Sequence, residues 1–121
     1  MAKTILIVDD SESIREVVNF TLQNAGFEVV SAGNGIEAQA CLDGREIDLV
    51  ITDLHMPEMD GIELIKYIRA SADYGRVPIL FLTTESQLAK KIEAKDAGAT
   101  GWIIKPFVPT KLLAAIGKVI R

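Results

Sequence analysis

Short apolar runs rich in β-branched residues alternate with longer amphipathic stretches from one end of the chain to the other. Thr4–Val8 (TILIV) predicts a strand buried on both faces. Ile14, Val17, Val18, Leu22 and Ala25 then recur at helical spacing and define the core face of a helix that Gly26 stops. Phe27–Ser31 predicts a weaker strand, Gly35–Leu42 a short helix and Asp48–Thr52 a second buried strand. Gly61–Arg69 reads as a helix with Ile62, Ile65 and Ile68 inward. Pro78–Thr83 predicts a strand, Ser86–Ala97 a helix and Gly101–Ile104 a last short strand. Lys111–Ile120 closes the pattern with Leu112, Leu113, Ile116 and Ile120 inward. The Ser86–Ala97 helix has the poorest apolar stripe, Leu88, Ala89, Ile92 and Ala97, and is expected to be the least firmly held.

Five strand–helix units in succession imply an α/β fold, a parallel sheet with helices on both faces. Right-handed crossovers leave few layouts for five strands. The usual one is the doubly wound order 2-1-3-4-5, with its crevice at the C-terminal ends of strands 1 and 3. No linker, repeat or low-complexity segment interrupts residues 1–121, so one domain is expected over all of them.

Composition narrows the function classes. Hydrophobic residues make up 49% and charged residues 25%, the balance of a folded chain. A net charge of −4 gives no counterion-release drive for nucleic acid, so DNA and RNA are not expected as partners. No apolar stretch approaches the roughly 18 residues that span a bilayer. Met1–Lys3 runs straight into the first strand without a leader-like segment, so a cytoplasmic location is the expectation. The single cysteine, Cys41, has no internal partner and reads as a buried apolar thiol beside Ile36 and Leu42.

The polar residues at the strand ends carry the candidate chemistry. Strand 1 ends in Asp9–Asp10, strand 3 in Asp53, strand 4 in Thr83 and strand 5 in Lys105–Pro106. The spacings from 53 to 83 and from 83 to 105 are 30 and 22 residues, about one strand–helix unit each. In the proposed order Asp9, Asp10 and Asp53 converge. Carboxylates that close must protonate or be neutralised by a cation, and an open set of oxygen ligands suits Mg2+. A carboxylate beside such an ion can attack a phosphoryl group. Metal and Lys105 would offset charge on the transferring oxygens, and Thr83 would hydrogen-bond the product. Each residue also has an ordinary reading: a helix cap for the acidic pair, turn chemistry for Asp53, a strand-end hydroxyl, a solvated lysine. Their coincidence at one sheet edge is what favours a site.

These segments, ILIVDD (5–10), DLVITDLHMPEMDG (48–61), PILFLTT (78–84) and AGATGWIIKPF (97–107), resemble the receiver domain of two-component response regulators. The resemblance covers essentially the whole chain and is strongest to the single-domain chemotaxis type, itself a known example of the 2-1-3-4-5 order. It implies that Asp53 is the phosphoacceptor. It further implies that Asp10, Asp53 and the backbone carbonyl of His55 ligate Mg2+, with Asp9 acting through water. Thr83 corresponds to the switch hydroxyl, Lys105 to the phosphate-binding lysine, and Lys105–Pro106 to a cis peptide. Trp102 stands where the family's switch aromatic, more often Tyr or Phe, is found; a half-buried or interface indole is the alternative. His55 and Glu85 are placed to tune phosphate lifetime by gating water; two solvated side chains are the alternative. The implied partners are a histidine kinase as phosphodonor and a downstream protein, either a flagellar motor component or a phosphotransfer protein, with the chain a monomer or weak dimer.

Three competing classes remain. A flavodoxin-like cofactor binder needs a Ser/Thr/Gly-rich phosphate loop after strand 1, where this chain has Asp9–Asp10. A phosphatase with an aspartate nucleophile would want an acid at position 55, which is His. A degenerate receiver acting only as a scaffold would not need the complete acidic set.

Overall fold

The computed structural model describes residues 2–120; Met1 and Arg121, which the expected domain includes, lie outside the described residues. The strands are β1 (Thr4–Val8), β2 (Glu28–Ala32), β3 (Leu49–Thr52), β4 (Ile79–Thr83) and β5 (Gly101–Ile104). The helices are α1 (Glu12–Asn24), α2 (Gly35–Cys41), α3 (Gly61–Ala70), α4 (Leu88–Ala97) and α5 (Pro109–Val119). All strands pair in parallel in the order β2-β1-β3-β4-β5. This is the doubly wound architecture expected from the alternation of patterns.

The strand sequences are apolar at nearly every position because both sheet faces are covered. Successive side chains point to opposite faces. Leu6, Val8, Val50, Ile79 and Phe81 therefore enter one core with Ala38 of α2, Ile62, Leu64, Ile65 and Ile68 of α3, and Ala94 of α4. Ile5, Ile7, Leu49, Ile51, Leu80 and Leu82 enter the other with Val18 and Leu22 of α1 and Leu112 and Ile116 of α5.

Local chemistry sets the helix ends. Ser11 caps α1 and Asn34 caps α2. Asp60 and Glu63 form a reciprocal capping box at the start of α3. Gly98, at φ 114°, closes α4 in the left-handed region that a side chain would disfavour. Arg69 ties α3 to the next units, its guanidinium donating to the carbonyls of Gly98, Gly75 and Val77. The Tyr74 hydroxyl donates to the Arg45 carbonyl at 2.7 Å and accepts from the Gly44 N–H at 2.8 Å, fastening the loop before β3.

Several helical expectations need correction. On α1, Val17 is 51% exposed and Ala25 is exposed, because Val18 and Leu22 alone reach the sheet fully. On α4, Leu88 is 70% and Ile92 52% exposed, Ala89 is exposed too, and the fully covered residue is Ala94. Ala94 is the residue of α4 that joins the buried core, beside α3, while the larger apolar groups point outward. Cys41 is half-buried rather than buried, against the core with Leu42, while Ile36 is largely exposed. β2 starts one residue later than expected, α4 two residues later and α5 two residues earlier, at Pro109, a residue well suited to a first helical turn. No described helix is long and apolar enough to cross a membrane.

Candidate functional site

Parallel register brings the strand ends together. Val8 of β1 sits opposite Thr52 of β3, so the residues that follow, Asp9 and Asp53, emerge side by side. The Asp53 N–H donates to the Val8 carbonyl at 2.9 Å, extending the ladder by one rung. Thr83 ends β4 opposite Ile104 of β5, and the Lys105 N–H donates to the Thr83 carbonyl at 2.9 Å. The Lys105–Pro106 peptide is cis, as the resemblance implied.

Carboxylate oxygens of Asp9, Asp10 and Asp53 lie within 4.8 Å of one another. Asp9 and Asp53 are buried and Asp10 is exposed. The Lys105 ammonium fills the space between the two buried groups, donating to Asp9 Oδ2 at 2.7 Å and Asp53 Oδ2 at 3.0 Å. Asp9 Oδ1 accepts from the Ser11 N–H, and Asp53 Oδ1 from the N–H groups of Leu54 and His55. The Asp10 carboxylate and the His55 carbonyl have no hydrogen bond among the described residues.

The electrostatics follow from burial. Desolvation pushes the Asp9 carboxyl above its ordinary range, and the Lys105 and Ser11 donors pull it back only in part. Burial alone would lower the Lys105 ammonium, but hydrogen bonds and charges from Asp9 and Asp53 outweigh it and leave its pKa raised. One lysine thus faces three carboxylates. A hard cation with oxygen ligands would restore the balance, and two of the donors it would need, the Asp10 carboxylate and the His55 carbonyl, carry no competing hydrogen bond.

The rim joins this pocket to the β5 side. Thr83 is fully buried, and its Oγ1 accepts from the Glu85 N–H at 3.2 Å. Glu85 Oε1 lies 2.8 Å from His55 Nε2, so the ring N–H donates to the carboxylate across the mouth. The two side chains are therefore paired with each other rather than separately solvated. The Gln87 N–H and the His55 ring together hold the Glu85 carboxyl below its ordinary range. On the far side, the Trp102 indole N–H donates to the Glu85 carbonyl at 3.0 Å. Trp102 is half-buried, its ring centroid 5.1 Å from that of Phe81, with the Lys91 ammonium 5.9 Å from the ring. All eight sequence-selected residues thus fall along one continuous path from the acidic crevice to the β5 face.

Two contributors had no assigned role in the sequence reading. Gly61 was placed only as a helix start. A side chain there would put its Cβ 2.4 Å from the Asp53 carbonyl and 2.5 Å from Phe81 Cε1. The Asp–Gly step before the helix was the available signal. Arg15 donates to the Asp9 carbonyl and is a basic residue one helical turn past the acidic pair.

The family model described as the response regulator receiver domain matches residues 5–117. The chain belongs to the receiver domain family. This receiver is 40% identical over 110 residues to the chemotaxis protein CheY1 of Helicobacter pylori, spanning 89% of each chain. It superposes on the crystallised chemotaxis response regulator CheY4 of Vibrio cholerae with a TM-score of 0.94 at 46% identity, covering 99% of this chain and 100% of that one. It is also 37% identical over 121 residues to the phosphate regulon transcriptional regulatory protein PhoB of Pseudomonas aeruginosa, of which it spans 53%. Receivers of the chemotaxis kind are phosphoacceptor switches that bind a divalent metal, and this receiver is closely related to them.

Proposed function

We propose that this receiver takes a phosphoryl group from a histidine kinase onto Asp53 with Mg2+ and thereby changes its affinity for a downstream protein. The observation that carries the reading is Lys105 bridging Asp9 and Asp53 beside the exposed Asp10. Asp10, Asp53 and the His55 carbonyl would hold the metal, with Asp9 contributing through water. Bound Mg2+ would neutralise these carboxylates and draw charge from the transferring oxygens.

The remaining steps belong to the protein. Asp53 is held on one oxygen by the Leu54 N–H at 2.7 Å, which aims the other toward Lys105 and the crevice. That carboxylate forms a bond to phosphorus as the bond to the donor nitrogen breaks. Lys105 exchanges part of its hold on the carboxylates for the phosphoryl oxygens. The Thr83 hydroxyl turns from the Glu85 N–H to donate to the phosphate. Charge-assisted hydrogen bonds are worth about 1.5–3 kcal/mol each. Two of them approach the roughly 5.5 kcal/mol that inverts a 1:99 population. The loss of Thr83 from Glu85 then reaches Trp102 and the face made by α4, β5 and α5. The His55–Glu85 pair covers the pocket mouth and would lengthen phosphate lifetime by hindering water.

The downstream protein is a flagellar motor component or a phosphotransfer protein, and the chain works in the cytoplasm as a monomer or weak dimer covering residues 1–121. The relatives named for chemotaxis favour the motor. Mass spectrometry after a small phosphodonor with and without Mg2+ tests the core of this proposal. A Mg2+-dependent adduct on wild type and none on Asp53→Asn is expected; an equal adduct on both would remove Asp53 from the role.

A further inference from the structure

Asp9 ends β1 under restraint at every polar group. Its N–H donates to the Ala32 carbonyl at 3.1 Å, and its carboxylate is held by the Ser11 N–H and Lys105. Its carbonyl oxygen accepts from Arg15 Nη1 at 2.6 Å, across six residues of chain. That carbonyl belongs to the peptide unit joining Asp9 to Asp10. The unit is planar, so holding its oxygen also sets its N–H and the Asp10 Cα. Among the described residues the Asp10 side chain has no hydrogen bond of its own, and its aim is inherited from this backbone.

The guanidinium is itself built in. It passes beside Gly33 in the β2–α2 loop, where an added Cβ would lie 3.3 Å from Arg15 Nη1 and 3.3 Å from Glu37 Oε1. Glu37 Oε1 accepts the Gly33 N–H at 2.8 Å, fixing the loop that leaves room for the arginine. Arg15 is half-buried in this slot.

The geometry points to Arg15 as a positioning residue that aims Asp10 at the divalent cation, an assignment that rests on the metal-binding reading above. Two effects of the guanidinium oppose each other. As a positive charge near the acidic cluster it repels a cation, so its removal would tighten Mg2+ binding. As a brace on the Asp9–Asp10 peptide it preorganises a ligand, so its removal would weaken binding. Loss of partners that orient metal ligands costs 10–100-fold in affinity, which exceeds a screened charge effect at a partly exposed position.

Isothermal titration of Mg2+ into metal-free wild type, Arg15→Ala and Arg15→Lys separates these effects. Mg2+ affinity is expected to fall about tenfold in Arg15→Ala. Partial recovery is expected in Arg15→Lys, whose ammonium can still donate to the Asp9 carbonyl. A merely structural role would lower the melting temperature and leave the affinity of the folded protein unchanged. Unchanged or tighter binding by Arg15→Ala overturns the assignment while wild-type binding upholds the metal reading. Absence of Mg2+ binding by wild type overturns both. If Arg15→Ala fails to fold, Arg15→Met, which keeps the apolar stem and cannot donate to the Asp9 carbonyl, takes its place, and affinity equal to wild type then counts against the brace.

Discussion

The indole N–H of Trp102 donates to the backbone carbonyl of Glu85, whose own N–H donates to the hydroxyl of Thr83. One residue of the β4–α4 loop is thus held from the acceptor side and from the β5 side at once. Any group that competes for the Thr83 hydroxyl loosens the same loop that Trp102 grips. Trp102→Phe keeps a ring against Phe81 and deletes the donor. A neutral hydrogen bond is worth about 1 kcal/mol, so amide exchange of residues 84–87 should quicken about fivefold. Unchanged exchange there would show that the indole does not restrain the loop.

Gly61 starts α3 where an added Cβ would run into the carbonyl of Asp53 and the ring of Phe81. Neither neighbour can yield cheaply, since one is main chain and the other is fully buried in the core. Gly61→Ala should destabilise the protein by about 1–3 kcal/mol, the usual range for overpacking. It should also slow phosphorylation by a small phosphodonor. Urea unfolding and the rate of adduct formation check the two effects, and a variant as stable as wild type would disprove the contact.

Lys105 is the cation between two buried carboxylates, and its removal has a pH-dependent cost. The raised Lys105 pKa means that its stabilisation is complete below 10.5 and is lost as pH rises through the folded value. Asp9 behaves oppositely to a well-paired carboxylate. Its folded pKa lies above 3.8, so its ionisation opposes folding at neutral pH and its protonation relieves that cost on acidification. Lys105→Met in metal-free buffer should therefore cost about 1–3 kcal/mol at pH 7. The penalty should shrink as pH falls through the raised Asp9 value toward 3.8. Urea midpoints of wild type and variant along that range test it; a penalty constant with pH would contradict the account.

Mg2+ binding to the folded state should raise the melting temperature with the logarithm of Mg2+ concentration above Kd, a stabilisation of about 2.7 kcal/mol at a hundredfold excess over Kd. Asp10→Asn removes the exposed carboxylate of the cluster and should abolish most of that rise. The metal-free variant should be at least as stable as wild type, because one of three mutually repelling charges is gone. Thermal melts with and without Mg2+ decide, and an undiminished rise in Asp10→Asn would remove Asp10 from the ligand set.

The outward apolar groups of α4 give a contrasting pair of expectations. Leu88→Ser and Ile92→Ser should each change stability by less than about 0.5 kcal/mol, as for ordinary surface sites. Ala94→Leu should cost about 1–3 kcal/mol, since Ala94 is 1% exposed and packed within the core cluster. Denaturant midpoints check the pair; the reverse ranking would put Leu88 and Ile92 in the core after all.

Much of this molecule was legible from residue order alone. Strands covered on both faces read as short continuous apolar runs and helices as a repeat of 3.6 residues, patterns that backbone geometry and burial impose directly on the sequence. They therefore located all five strands and five helices and, through the handedness of crossovers, the strand order. Strand ends follow from the same pattern, so Asp9, Asp10, Asp53, Thr83 and Lys105 could be placed on one edge before any contact was known. What the pattern could not contain was distance between elements remote in sequence. Whether Leu88 or Ala94 is covered depends on which face α4 turns to the core, and Ala94 is the one enclosed. The pairing of His55 with Glu85, the reach of Trp102 to the Glu85 carbonyl and the grip of Arg15 on Asp9 span 30, 17 and 6 residues. Such contacts arise only once the sheet has set the loops beside one another, because hydrogen bonds act over about 3 Å and carry no signature along the chain.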